Sequence, residues 1–186
     1  MKRRPRRRAL LLATVAAWMC PPSADAQQAA PADPTALFGP AVAAHPLAKG
    51  SFAELDLDGD GKLDRVWVVR LTRGGADAVA KETRRVNPFG KRGIAARGEP
   101  LAIAIQHANG ERWLLHDSEF FATPIWQSAP LPLDAARRGS KPHQEASAAG
   151  AKPRGDLLLL GTEAGIDVAL FWNGRGYVVN APKEEP

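Results

Sequence analysis

The chain reads as a mainly β domain: an antiparallel, hairpin-linked sheet folded as a small sandwich or open barrel, with two long polar loops. Three observations predict this. About seven short runs are rich in aliphatic, β-branched and aromatic residues. Glycine-bearing turns separate them, two of which carry an Asn-Gly pair (109–110 and 173–174) suited to hairpins. No stretch of ten residues sustains a helical apolar period.

Of the 186 residues, the first 26 read as a leader. "MKRRPRRR" is a basic head, "ALLLATVAAWM" an apolar stretch too short to cross a bilayer, and Ala24-Asp25-Ala26 a small-residue cleavage site. This predicts a signal peptide over 1–26 and a periplasmic or secreted protein. Arg7-Arg8 partly matches a twin-arginine signal. Bulky Trp18 and Met19 before Cys20 disfavour lipidation there.

Six of the 25 basic residues and one of the 20 acidic ones lie in this leader, which leaves 19 of each. The remaining chain is neutral, so the basic whole-chain balance gives no basis for nucleic-acid binding. The one cysteine, Cys20, leaves with the leader, which removes disulfides, a thiolate nucleophile and cysteine metal sites. No transmembrane segment is expected beyond the leader.

Residues 27–50, rich in Ala and Pro, read as a flexible lead-in. A single β domain is expected over 51–182. "SFAELDL" (51–57) is a short strand running into an acidic loop, and "DRVWVVRLT" (64–72) is a strand whose near-continuous apolar run suits a central position. The 73–98 excursion has seven basic residues, two acidic ones and five glycines, and reads as a loop able to meet an acidic partner. "PLAIAIQHANGERWLLHD" (100–117) is a hairpin around a type I′ turn at Asn109-Gly110. A second excursion spans 122–154, with its last part, 137–154, reading as disordered. Strands at 155–162, 165–173 and 175–181 close the chain. Val66, Val68, Ile103, Ile105, Leu158, Leu160, Val168 and Leu170 are the expected core.

The chemistry concentrates in "ELDLDGDGKLDRVWV" (54–68). Asp56, Asp58, Asp60 and Asp64 stand where a calcium loop places oxygen ligands, Gly61 sits at its sharp turn, and Lys62 would offer its carbonyl. Ca²⁺ takes six to eight hard oxygen ligands, which alternate carboxylates on a tight loop supply. No His or Cys lies nearby in sequence, which disfavours zinc and copper. An EF-hand needs a bidentate Glu where this chain has Trp67, and a helix where this chain has a strand. The loop and the following "RVWVV" instead resemble FG-GAP or VCBS-type repeats, in which such a loop joins two strands. That resemblance covers about 20 residues. It implies Asp56, Asp58, Asp60 and Asp64 as side-chain ligands, Lys62 as a carbonyl ligand, and calcium as the cofactor. A propeller needs repeated blades, and only one such loop is present. The ion then acts as a structural staple.

His116, with Asp117 and Glu119 near it, is the candidate general base. Adjacent strand residues point to opposite faces, so His116 and Asp117 are not expected to pair. No nucleophile elbow, HExxH or phosphate loop occurs. The expected function is a non-enzymatic exported β domain with one structural Ca²⁺, binding a protein or cell-envelope polymer. The alternative is a small envelope hydrolase, or an inhibitor of one, that uses the His116 region.

Overall fold

The computed structural model describes residues 33–48, 52–72, 79–90, 101–117 and 119–180. The expected leader and the excursion residues 73–78 and 91–98 lie outside these. In chain order the elements are α1 (Pro34–Phe38), β1 (Val42–Ala44), β2 (Ala53–Leu55), β3 (Asp64–Leu71), β4 (Thr83–Val86), β5 (Leu101–Gln106), β6 (Arg112–Leu115), β7 (Leu133–Ala136), α2 (Lys141–Ala148), β8 (Leu157–Leu160), β9 (Val168–Trp172) and β10 (Tyr177–Asn180). Two 3₁₀ turns, Phe120–Ala122 and Pro124–Gln127, precede β7.

The strands form two sheets with no closed barrel, so the fold is a sandwich. The first sheet runs β1-β3-β5-β6-β4, with β2 also on β3; the second runs β10-β9-β8-β7. The eight expected core residues face one another in pairs: Val66 opposite Ile105 and Val68 opposite Ile103 in one sheet, Leu158 opposite Leu170 and Leu160 opposite Val168 in the other. All eight share one buried cluster with Leu55, Leu57, Phe121 and Trp126. Strand β3 pairs with β1, β2 and β5. Its alternate residues Trp67, Val69 and Leu71 fill a second cluster on the outer face of the sheet. Burial on both faces accounts for the unbroken apolar run.

Three strands are additional to the expected seven, and each corrects a segment read as unstructured. The lead-in expected to be flexible is docked from residue 33 onward. Asp33 caps α1 by accepting from the Thr35 N–H, Pro34 opens the helix, and β1 adds to the edge of the first sheet. Phe38 and Val42 are wholly buried there, which covers the outer face of β3 and β5. The ordered domain therefore starts before residue 51.

Within the 73–98 excursion, β4 pairs with β6 in parallel, the one parallel pairing among the described residues. The expected disorder over 137–154 is likewise overturned. Ser140 caps α2, Pro142 sits in its first turn, and Ala146 and Ala151 lie over the outer face of the second sheet. A small apolar cluster, with Leu157 and Phe171, is enough to dock a segment whose composition is polar.

Candidate metal centre at the acidic loop

The loop between β2 and β3 is turned by its own carboxylates. Asp56 accepts from the Gly59 and Gly61 N–H groups at 2.9 and 3.1 Å. Asp58 accepts from Asp60 N–H at 3.0 Å, and Asp60 from Lys62 N–H at 2.8 Å. These bonds gather Asp56, Asp58 and Asp60, whose nearest oxygens all lie within 4.8 Å of one another. Each ionised carboxylate has about four acceptor directions, so lone pairs remain for a cation. Three carboxylates at such spacing repel one another, and a divalent ion relieves that repulsion. The donor set is all oxygen and fits a hard cation. Lys62 stands at the exposed apex.

Asp64 takes a different place. It is fully buried, and its two oxygens accept from the N–H groups of Leu57 and Ala108, each at 2.9 Å. Burial raises its pKa against the pull of those donors and of His107. Asp64 groups with Asp58 and His107 rather than with Asp56 and Asp60. The four aspartates thus form an outer trio and an inner brace that share Asp58.

Sequence distance concealed His107. It lies 49 residues from Asp58, yet its Nδ1 is 2.9 Å from Asp58 Oδ2 and 4.0 Å from Asp64 Oδ1. Its Nε2 is 2.8 Å from the Tyr177 hydroxyl. A histidine therefore stands at the loop in space, although none lies nearby in sequence, so sequence proximity alone does not disfavour zinc or copper there. The cause is register: Arg65 pairs with Gln106, so Asp64 and His107 end neighbouring strands side by side. The turn after His107 is not type I′. Asn109 has no positive φ; only Gly110 does, at 91°. The Gly110 N–H bonds to the His107 carbonyl at 2.9 Å, and Asn109 Oδ1 accepts from the Glu111 N–H. This is a type I turn closed by one left-handed glycine.

A second loop locks the first. Asp56 N–H donates to Asp156 Oδ2, and Asp156 N–H donates to the Asp56 carbonyl. Asp156 also accepts from Arg138 N–H at 2.7 Å and from the Arg137 guanidinium at 3.3 Å. His143 of α2 reaches the Gly155 carbonyl at 3.2 Å. The Arg154 N–H bonds to the Trp172 carbonyl at the end of β9. One end of the sandwich thus collects the acidic loop, the β5–β6 turn, the 154–156 segment and the base of α2.

His116 lies elsewhere and is sealed. It is fully buried, and neither ring nitrogen has a hydrogen-bond partner among the described residues. As expected, it does not pair with Asp117. Burial also pulls at Asp117, but N–H bonds from Phe120 and Glu119 and the Asn87 amide outweigh it and hold the carboxyl below its usual range. Asp117 is thus a cap for the turn that follows. Burial lowers the His116 pKa, with Arg85 adding to the effect against Asp117. Burial and Arg70 lower that of His45. Both rings take up a proton less readily in the folded protein than in the unfolded chain, which protonates below about pH 6.5. Their contribution to stability is full above that pH and is lost as pH falls through the depressed folded values. The urea midpoint is therefore expected to drop between about pH 7 and pH 5, and His116→Leu to flatten that slope. Equal slopes in both proteins would clear His116 of the effect.

Among the described residues no helix is long and apolar enough to cross a membrane. Comparison of the chain with protein-family models, curated proteins and solved structures gives no match.

Proposed function

We propose that the protein is an exported, non-enzymatic β-sandwich domain in which one Ca²⁺ at the acidic loop staples one end of the sandwich. That end presents its loops to a protein or cell-envelope polymer. The observation that carries this reading is the outer trio, with Asp56, Asp58 and Asp60 held together by loop N–H groups. Asp56 and Asp58 both connect onward, through Asp156 and His107, to the second sheet and to the β5–β6 turn. An ion on the trio would restrain three segments at once.

The export reading rests on the basic head, the short apolar stretch and the Ala24-Asp25-Ala26 site. The non-enzymatic reading is supported by His116, the candidate general base, whose ring is fully buried.

The ion is structural, with an affinity of the order of 10⁻⁴–10⁻³ M, as in extracellular modules. Asp58→Asn with Asp60→Asn removes two of the trio's charges. The double variant is expected to melt at the same temperature with and without calcium, whereas the wild-type protein gains stability. A partner retained at this end would be released by chelation in a pull-down from envelope extract. Retention unaffected by chelator argues against a calcium-organised docking end.

A further inference from the structure

We propose that His107, held by Tyr177, positions Asp58 and presents the loop with a proton rather than a lone pair, keeping the site selective for hard cations. This rests on the calcium reading above and names what tunes it.

The argument begins with two buried groups. His107 is 2% exposed and Tyr177 3%, and polar atoms buried this deeply are as a rule hydrogen-bonded. Tyr177 Oη has His107 Nε2 at 2.8 Å. Burial, with Asp64, Asp58 and Glu111 adding to it, keeps the phenol protonated. If Nε2 carried the imidazole proton, Nδ1 would turn a lone pair toward the Asp58 carboxylate at 2.9 Å. Nε2–H could still donate to the Tyr177 oxygen, but the Nδ1–Asp58 contact would fail and the phenol proton would lose its acceptor at Nε2. The other tautomer satisfies both: the Tyr177 O–H donates to Nε2, and Nδ1–H donates to Asp58 Oδ2.

Two consequences follow. First, Asp58 is fixed at both oxygens, Oδ2 by His107 and Oδ1 by the Asp60 N–H. Asp58 is the carboxylate common to the outer trio and the inner brace, so its orientation sets both. Partners of this kind behind a ligand typically change metal affinity by about 10–100-fold. Second, the nitrogen nearest the loop already holds a proton. A borderline ion such as Zn²⁺ wants that lone pair, whereas Ca²⁺ does not. Trp113 and Trp172 pack at 6.4 and 5.4 Å from the imidazole centroid and hold the ring in place.

The test is calorimetric titration of the folded protein with calcium, then with zinc in competition, using wild type, His107→Leu and His107→Asn. The Asn amide can donate from nearly the Nδ1 position, so it rescues a positioning role but not a space-filling one. His107→Leu is expected to weaken calcium binding by about 10–100-fold. His107→Asn is expected to stay within about threefold of wild type, because a donor to the carboxylate survives. Zinc is expected not to displace calcium from wild type. Equal affinity of His107→Leu and wild type, or equal loss in both variants, overturns the proposal. So does zinc displacement that the variants abolish, since Nδ1 would then be a ligand.

The ¹⁵N tautomer signature of His107 in the wild-type protein decides the case where a variant does not fold. Nδ1–H upholds the assignment, and Nε2–H overturns it. If wild type takes up no calcium, the calcium reading fails, and the tautomer still tests the His107 assignment separately.

Discussion

A Gly155→Val protein is expected to lose about 3 kcal/mol of stability and to melt about 6–12 °C below wild type. The cause is steric. A Cβ at Gly155 would lie 1.9 Å from the Asp56 carbonyl oxygen and 2.8 Å from Gly59 N, both backbone atoms of the acidic loop. A flexible side chain could swing aside, but these atoms are fixed by the exchanged bonds between Asp56 and Asp156. The contact is mutual, since a Cβ at Gly59 would meet the Arg154 carbonyl at 2.5 Å. Pushing the two loops apart also displaces the trio, so the variant should lose its response to calcium. Gly176→Ala is the control, since its added Cβ has nothing within 4 Å. It should stay within about 0.5 kcal/mol of wild type. Similar melting of the Gly155 variant and wild type would show that the 154–156 segment does not bear on the loop.

Phe38→Ala is expected to cost about 3 kcal/mol, at the lower end of the range for deleting a buried aromatic ring. Phe38 is wholly buried, packs edge-on against Trp67 at 5.9 Å and shares the outer cluster with Val42, Val69 and Leu114. Its carbonyl also accepts from the Ala80 N–H. Removing the ring leaves a cavity over the outer face of β3. Chemical denaturation of wild type and variant measures the difference. A flexible lead-in would give no loss, so the result separates a docked cover from a tether.

These two positions also mark what could be read from the sequence. The sandwich was legible because Val66, Val68, Ile103 and Ile105 alternate on their strands and Asn-Gly pairs punctuate the hairpins. Segments held by a few contacts were not. Phe38 and Val42 are two apolar residues among alanines and prolines, and nothing local says that a bare sheet face awaits them. For α2, the Ser140 cap and the proline of the first turn sit in a segment whose polar composition reads as disordered.

The acidic loop shows the same divide. Its spacing is local, so the grouping of Asp56, Asp58 and Asp60 was legible. The inward role of Asp64 and the arrival of His107 depend on the register of β3 against β5, a pairing across some forty residues that composition does not encode. Tyr177 is farther still, brought in only by closure of the second sheet on the first.

The most direct test of the calcium staple is the thermal melt of the wild-type protein in chelator and in about 10 mM Ca²⁺, roughly ten times the weaker affinity limit. Binding at that ratio adds about 1.4 kcal/mol, which for a domain of this size is a rise of about 3–6 °C. The account predicts that rise, and predicts none in the Asp58→Asn, Asp60→Asn double variant. A wild-type melting temperature that calcium leaves unchanged would contradict it.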